Sequence, residues 1–451
     1  MATTKLRKLD ALKRCKRMVA EDRISDMPDE ILCHILTRLT LKEAIATGVL
    51  SERWKNLWAS CPNLNFGCLK LLKMGERTYV RCIDNILRQY NAQNLHKFRI
   101  VRPSDISGQY LDEWISFAIN HGVCELDLNL NVSFIPGYSN NYYFPAHFFA
   151  SPNVFESLTD LCLRTVNLTD DVFNLILSSC FSLERFILEF SYGLVNAINT
   201  APHPNLKSLE LYCCHHLQYL QVFAPNLISF KYDGNITTLS IKDAKQLASL
   251  RLSIFPVYKS TVILPRAKNF VFTQFSSHFA NLKSLVISAH LFKDMSDFTE
   301  LCVFSNLKRL EVDVKFTWVT YLAYSVVASI IRGAPLLELL EIVLPPFIPT
   351  WQEYPALELA SMSPHQNLKE VKLFGFRGDK KTMEFLSYLS KNTVSLQKIN
   401  ITARFAIRHG EDLTVDNTLH WKIDAAEHAK NCVVQLRQTM HGNTQLLFHD
   451  G

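Results

Sequence analysis

The sequence predicts an α/β solenoid preceded by a small three-helix module, and two patterns predict it. The first is a repeat. From residue 95 onward Leu-x-x-apolar-x-apolar recurs twelve times, as in Leu158/Leu161/Leu163, Leu206/Leu209/Leu211 and Leu368/Val371/Leu373, mostly about 20 to 35 residues apart. Its x-apolar-x-apolar part has the period of a strand with one buried face. Segments of helical period (79–89, 111–120, 170–179, 319–331 and 382–389) lie between several of the strands. A helix followed by a strand, repeated at this spacing, stacks into an array whose strands line a concave face. The second pattern is a dense apolar cluster at residues 22–66 with its own helix punctuation.

In that cluster Pro28 suits a helix first turn, where its missing N–H is not needed, and Asp29 and Glu30 suit the positive end of the dipole. Ile31, Leu32, Ile35, Leu36 and Leu39 make two adjacent apolar ridges at i, i+4 spacing. A second helix is expected over 41–50. Ser51 is a good N-cap for a third, which carries Trp54, Leu57 and Trp58. So small a module cannot bury this many apolar side chains alone, and uncovered apolar area marks a binding surface unless the rest of the chain covers it.

These residues resemble the plant-type F-box. The matching letters are Asp22-Arg23-Ile24-Ser25, Met27-Pro28-Asp29-Glu30-Ile31-Leu32, Ile35-Leu36 and Leu50-Ser51-Glu52-Arg53-Trp54-Lys55-Asn56-Leu57-Trp58, continued by Pro62, Leu64 and Phe66. The resemblance implies docking onto a Skp-family adaptor and, through it, onto a cullin–RING ubiquitin ligase. The expected docking residues are Pro28, Ile31, Leu32, Ile35, Leu36, Leu50 and Trp54, some of which must instead form the module's own core. Gly48 departs from the serine usual in the family, and glycine in a helix costs up to about 1 kcal/mol relative to alanine.

Composition sets the frame around these patterns. The chain has 451 residues, 48% apolar, so a large core is feasible. It has no apolar run of 18 or more residues and no signal peptide, which reads as a soluble intracellular protein with no membrane partner. Its 12 cysteines are scattered without a Cys-x-x-Cys, as expected of buried thiols in a reducing compartment. Cys213-Cys214-His215-His216 is a poor metal site, since adjacent residues of an extended chain point to opposite faces. Much of the net charge of +6 lies in Lys5, Arg7, Lys8, Lys13, Arg14, Lys16 and Arg17. That run reads as a solvated tail or a nuclear-import signal, giving nucleus and/or cytoplasm as the expected location.

The expected organisation is a basic tail (1–21), the F-box (22–66), a helical linker (67–94), a leucine-rich-repeat array (95–403) and a C-terminal cap and tail (404–451). The array resembles the irregular repeats of plant F-box proteins, giving the predicted horseshoe. Four copies open with Asn-Leu-Lys, at Asn205, Asn281, Asn306 and Asn367. Across 206–250 extra copies at Leu217/Leu220/Val222 and Ile236/Leu239/Ile241 cut the spacing to about ten residues, too short for a helix and two connections. There the side opposite the main strands should be built from short extended segments. Residues 363–403 resemble the FBD-type segment of plant F-box proteins, with His365 near the usual cysteine. A helix is expected around 425–437, and the last dozen residues should fray.

Catalytic patterns are missing. The chain lacks G-x-x-x-x-G-K-[ST], G-x-G-x-x-G, G-x-S-x-G and H-E-x-x-H, and it has only 14 glycines for phosphate cradles. No catalytic residue, metal or cofactor is expected. Binding is the alternative. Residues between the buried strand positions point out of the concave face, and Arg164, Glu210, Tyr212, Lys231, Arg251 and Glu311 are the candidate contacts to a protein substrate. Their mixed signs do not make a nucleic-acid groove. The reading is a non-catalytic, substrate-recruiting subunit of a ubiquitin ligase. The alternatives are a repeat scaffold outside any ligase and a ligand-sensing receptor.

Overall fold

The computed structural model describes residues 24, 27–67, 75–101, 106–130, 142–151, 155–235, 237–254, 274–288, 303–314, 320–345, 359, 363–404, 406–409, 412–415, 423–439 and 444–449. The basic run at 5–17 and the F-box letters Asp22, Arg23 and Ser25 lie outside them. The chain divides into two compact units, residues 1–136 and 137–451, so the division falls within the expected repeat array.

In the first unit the helices are α1 (Asp29–Leu36), α2 (Leu41–Ala46) and α3 (Glu52–Leu57). Thr40 and Glu43 close a capping box at the start of α2, and the Ser51 hydroxyl accepts the Trp54 N–H. The second helix is shorter than its sequence suggests. It ends at Ala46, and Thr47–Val49 form a 3₁₀ turn, so Gly48 is not in an α-helix interior. A Cβ there would stand 3.1 Å from the Lys55 Cα, so glycine lets this turn press against α3.

The remaining elements of this unit are β1 (Asn63–Asn65), α4 (Glu76–Gln89), β2 (Lys97–Val101), α5 (Gly108–Asn120) and β3 (Glu125–Asn129). The strands pair in parallel in the order β1-β2-β3. Phe66 meets Phe98 edge-on at 5.7 Å, and Trp58, Leu64 and Phe66 are buried. The first strand–helix layer thus covers the back of the helical module. Tyr79 and Trp114 join α4 to α5 edge-on at 6.2 Å. Their polar ends are satisfied by the Val101 carbonyl and the Asp84 carboxylate, both at 2.9 Å.

The second unit contains β4 (Asp160–Arg164), α6 (Asp170–Ser179), β5 (Arg185–Glu189), β6 (Asn196–Ile198), β7 (Ser208–Tyr212), β8 (Tyr219–Phe223), β9 (Ser229–Gly234), β10 (Thr238–Lys242) and β11 (Ser249–Ile254). After these come β12 (Ser284–Ser288), β13 (Arg309–Asp313), α7 (Thr320–Gly333), β14 (Leu339–Val343), β15 (Glu370–Phe374), α8 (Lys380–Lys391) and β16 (Lys398–Thr402). The last are β17 (Ala406–His409), β18 (Asp412–Val415), α9 (Ile423–Thr439) and β19 (Gln445–His449).

Its main sheet is parallel, in the order β4-β5-β7-β9-β11-β12-β13-β14-β15-β16-β19. The repeat's second apolar residue stacks in register along it as Leu161, Phe186, Leu209, Phe230, Leu250, Leu285, Leu310, Leu340, Val371 and Ile399, all essentially inaccessible. An open, mostly parallel sheet with helices between its strands is the predicted α/β solenoid. The chain's end departs from expectation. Instead of fraying, β19 joins the sheet beside β16, because Leu446 aligns with Ile399 and Phe448 with Ile401.

Three devices tie successive repeats together. The asparagine of the recurring triplet donates its amide to the carbonyl two residues before the previous repeat's leucine. The distances are 2.8 Å for Asn205 to Phe181, 3.0 Å for Asn281 to Lys245, 2.7 Å for Asn306 to Ala280 and 2.8 Å for Asn367 to Pro335. Asn226 does the same to Pro204. Two histidines span the same interval. Nε2 of His203 meets the Cys180 carbonyl while its Nδ1 meets the Leu206 N–H, and His365 repeats this with Ala334 and Leu368. A carbonyl can only accept and an N–H only donate, so both rings are neutral with the proton on Nε2. Finally, the residue after several strands is left-handed, with φ 57° at Thr165, 55° at Phe190 and 54° at Cys213. Each donates its N–H to a carbonyl at or next to the end of the neighbouring strand of the sheet, that of Glu189, Tyr212 and Asp233 respectively.

Over 196–242 the predicted extended segments are present as a second parallel layer, β10-β8-β6. Both outer strands are capped by side chains. Asp170 accepts the N–H groups of Val195 and Asn196 beside β6, and the Gln274 carbonyl oxygen accepts the Leu239 N–H of β10.

Candidate functional site

The helical module sorts its two apolar ridges cleanly. Leu32, Leu36 and Trp54 are turned inward with Leu41, Ala44, Leu57 and Trp58, leaving at most a few per cent of their surface accessible. They are core residues of the module. Ile31 and Ile35, at i and i+4 of the other ridge, are 49% and 39% exposed; Leu39, in the turn just past α1, is 38% exposed and Leu50 62%. Pro28 is exposed at the head of α1. Chemistry does not separate the ridges, since both are leucine and isoleucine. What separates them is that α3 packs on one side of α1 only.

The pose of α1 is set by charge as well as packing. Pro28 provides no side-chain cap for the helix it starts. Arg53 on α3 reaches across instead, donating from Nε to Asp29 Oδ1 at 2.8 Å and from Nη2 to the Met27 carbonyl at 2.6 Å. A planar fork held on both partners fixes an orientation better than a single contact would. Cys33 of α1 and Cys61 both donate toward the Leu57 carbonyl, and burial pushes the Cys61 thiol up to about 12. They are packing thiols.

Of the sixteen large apolar side chains that are exposed among the described residues, eight lie between Ile24 and Leu50. The other eight are scattered from Tyr143 to Val434. Exposed apolar residues scattered singly need no explanation, whereas half of them concentrated on one short module do.

The second candidate surface is the outer face of the main sheet in the second unit. One side chain per strand forms its midline, in register as Cys162, Ile187, Glu210, Lys231, Arg251, Val286, Glu311, Glu341 and Lys372. Strands only about 4.8 Å apart stack these residues directly on one another. Glu210, Lys231, Arg251 and Glu311 are therefore buried, although they point away from the core. Glu210 is the hub: it accepts the Tyr212 hydroxyl at 2.8 Å and Lys231 Nζ at 3.3 Å. Burial, with Glu210 alongside, raises the Tyr212 phenol well above its usual range. Arg164 pairs with Glu189 at 3.3 Å, while Glu341 receives both Arg309 and Lys372.

The structure thus brings Glu210, Tyr212 and Lys231 into one bonded cluster, with Arg251 on the next strand. Arg164 and Glu311 lie further along the same face. Sequence periodicity gives the direction of these side chains correctly. It does not reveal that four of them are inside a charge network. Among the described residues no group of three or more His, Cys, Asp or Glu could hold a metal ion. Cys214 is buried, and His216 is bonded to the Tyr192 carbonyl. No described helix is long and apolar enough to cross a membrane.

A stacked strand–helix repeat array in a chain that also carries a small helical module with a bare apolar ridge defines a class: repeat proteins with a separate helical module. Comparison with known proteins makes this specific. A family profile described as At1g61320/AtMIF1, LRR domain, matches residues 147–445, and the F-box domain profile matches residues 24–66. The chain belongs to the plant F-box/LRR-repeat family. Relatives from Arabidopsis thaliana include F-box/LRR-repeat protein At3g59210, 28% identical over 249 residues (48% of this chain, 50% of the relative). The putative F-box/LRR-repeat protein At3g18150 is 29% identical over 258 residues (53% and 54%). F-box/LRR-repeat protein 25 is 30% identical over 230 residues (46% and 84%). The chain spans about half the length of the first two.

Proposed function

We propose that this chain is the substrate-recruiting subunit of a cullin–RING ubiquitin ligase, docking a Skp-family adaptor through its F-box. The observation that carries the reading is the exposed ridge Ile31–Ile35–Leu39 together with Leu50, on a module matching the F-box profile. An i, i+4 apolar ridge continued by a leucine in the following turn is a shape a partner's helices can cover. The outer face of the repeat sheet is proposed to hold a protein substrate, so that other subunits catalyse transfer by proximity. Because its midline charges are already mutually paired, specificity would fall on the flanking half-exposed positions such as Arg164 and Tyr212. The chain itself contributes no chemistry in this reading.

Capture by an immobilised Skp-family adaptor tests it. The full chain should be retained, and retention after deletion of residues 22–66 would sink the proposal. Affinity purification with proteasome and neddylation blocked should then accumulate the substrate. Residence in nucleus and cytoplasm is proposed from the basic run at 5–17, and a uniformly cytosolic reporter carrying the first 21 residues would remove the nuclear part.

A further inference from the structure

The first unit carries a groove of about 440 Å³ along α4, with Tyr110 of α5 contributing to its lining. Arg77, Arg81 and Arg88 line it. At 100° per residue these three fall within about 40° of one another and span roughly 16 Å of helix. All three are exposed, and among the described residues none makes an ion pair or hydrogen bond. In the same unit Lys97 pairs with Glu125 and Arg99 with Asp127, so the α4 arginines differ from the cations of the neighbouring strands. Asp84 stands in the same row, yet its carboxylate is taken by the Trp114 indole N–H at 2.9 Å instead of by a neighbouring arginine.

Two features decide what such a row fits. Its positive charges are distributed along the groove, so a single compact anion would meet only one or two of them. Asp84 interrupts it and Glu76 stands at its start, which opposes a polyanion charged at every unit, such as a nucleic-acid strand. An extended peptide presents alternate side chains to one face about 6.6 Å apart. That matches the roughly 6 Å rise from Arg77 to Arg81, and the longer step of about 10 Å on to Arg88 leaves a neutral position opposite Asp84. We propose that the α4 groove binds an extended acidic segment of a protein partner, with carboxylates received by Arg77, Arg81 and Arg88.

The test is fluorescence anisotropy on the full chain with a labelled twelve-residue peptide of alternating Glu and Ser, beside a Lys–Ser peptide and oligouridylate. The Glu–Ser peptide should bind, more weakly as salt is raised, and the Lys–Ser peptide should not. The triple variant Arg77→Ala/Arg81→Ala/Arg88→Ala should lose at least tenfold in affinity with its melting temperature unchanged, and Glu76→Gln should gain. Absence of Glu–Ser binding, binding undiminished in the triple variant, or preferential oligouridylate binding that the triple variant loses would each overturn the proposal.

Discussion

Asn306 donates its side-chain amide to the backbone carbonyl of Ala280, one repeat earlier, at 2.7 Å. The carbonyl precedes a strand and has no ladder partner on that side, so the asparagine satisfies a group the stacking leaves open. Asn306→Ala should destabilise the protein by about 1 kcal/mol, and Asn306→Asp at least as much, because it keeps the shape and loses the donor. Chemical denaturation of the two variants checks this. Equal stability of Asp and wild type would show that the amide matters only as bulk.

Thr165 is β-branched and left-handed, with a buried hydroxyl that has no partner. Left-handed backbone costs such a residue about 1–2 kcal/mol. Thr165→Asn should therefore raise the melting temperature by easing the backbone, and Thr165→Val, which keeps the strain, should raise it only by removing the unpartnered hydroxyl.

His203 is buried and neutral, and burial lowers its pKa from the ordinary value. Below about pH 6.5 the unfolded chain binds a proton that the folded ring resists. Its contribution to stability is thus complete above that pH and is lost as pH falls toward the lower folded value. Denaturation midpoints at pH 7.5 and 5.5 should differ more in the wild type than in His203→Asn.

Ile31→Asp with Ile35→Asp should abolish adaptor capture while leaving the melting temperature nearly unchanged, since both side chains are solvent-facing. Leu36→Ala, on the inner ridge, should instead cost about 2–5 kcal/mol, and lose capture only through unfolding. Comparing the two variants by capture and by melting separates surface from core.

Gly48→Ser, which restores the family's common residue, should lower the melting temperature slightly because its Cβ would crowd the Lys55 backbone. A rise would mean that the turn relaxes freely.

Periodicity located the strands and most helices to within a few residues, because each repeat must present its leucines to one interior. It also located the Asn-Leu-Lys triplet, although the reason for the asparagine lies in a bond to the preceding repeat that no single copy displays. Three features stayed hidden. Leu32 and Ile31 are interchangeable as chemistry, so only the placement of α3 tells core from surface. Thr165 and Phe190 oppose their own conformations, so propensity points away from them. Glu311 carries an outward position's signature and is nonetheless 1% exposed, because Arg309 of its own strand, paired both with it and with Glu341 of the next strand, closes over it.

The caps on the β10-β8-β6 layer have a consequence for life in a crowded cell. A three-stranded parallel layer has two raw edges, each able to recruit a strand from another copy. Asp170 and Gln274 occupy donor groups that a newcomer would need. The layer is thereby given a fixed length, and the closely spaced repeats that built it are kept from polymerising.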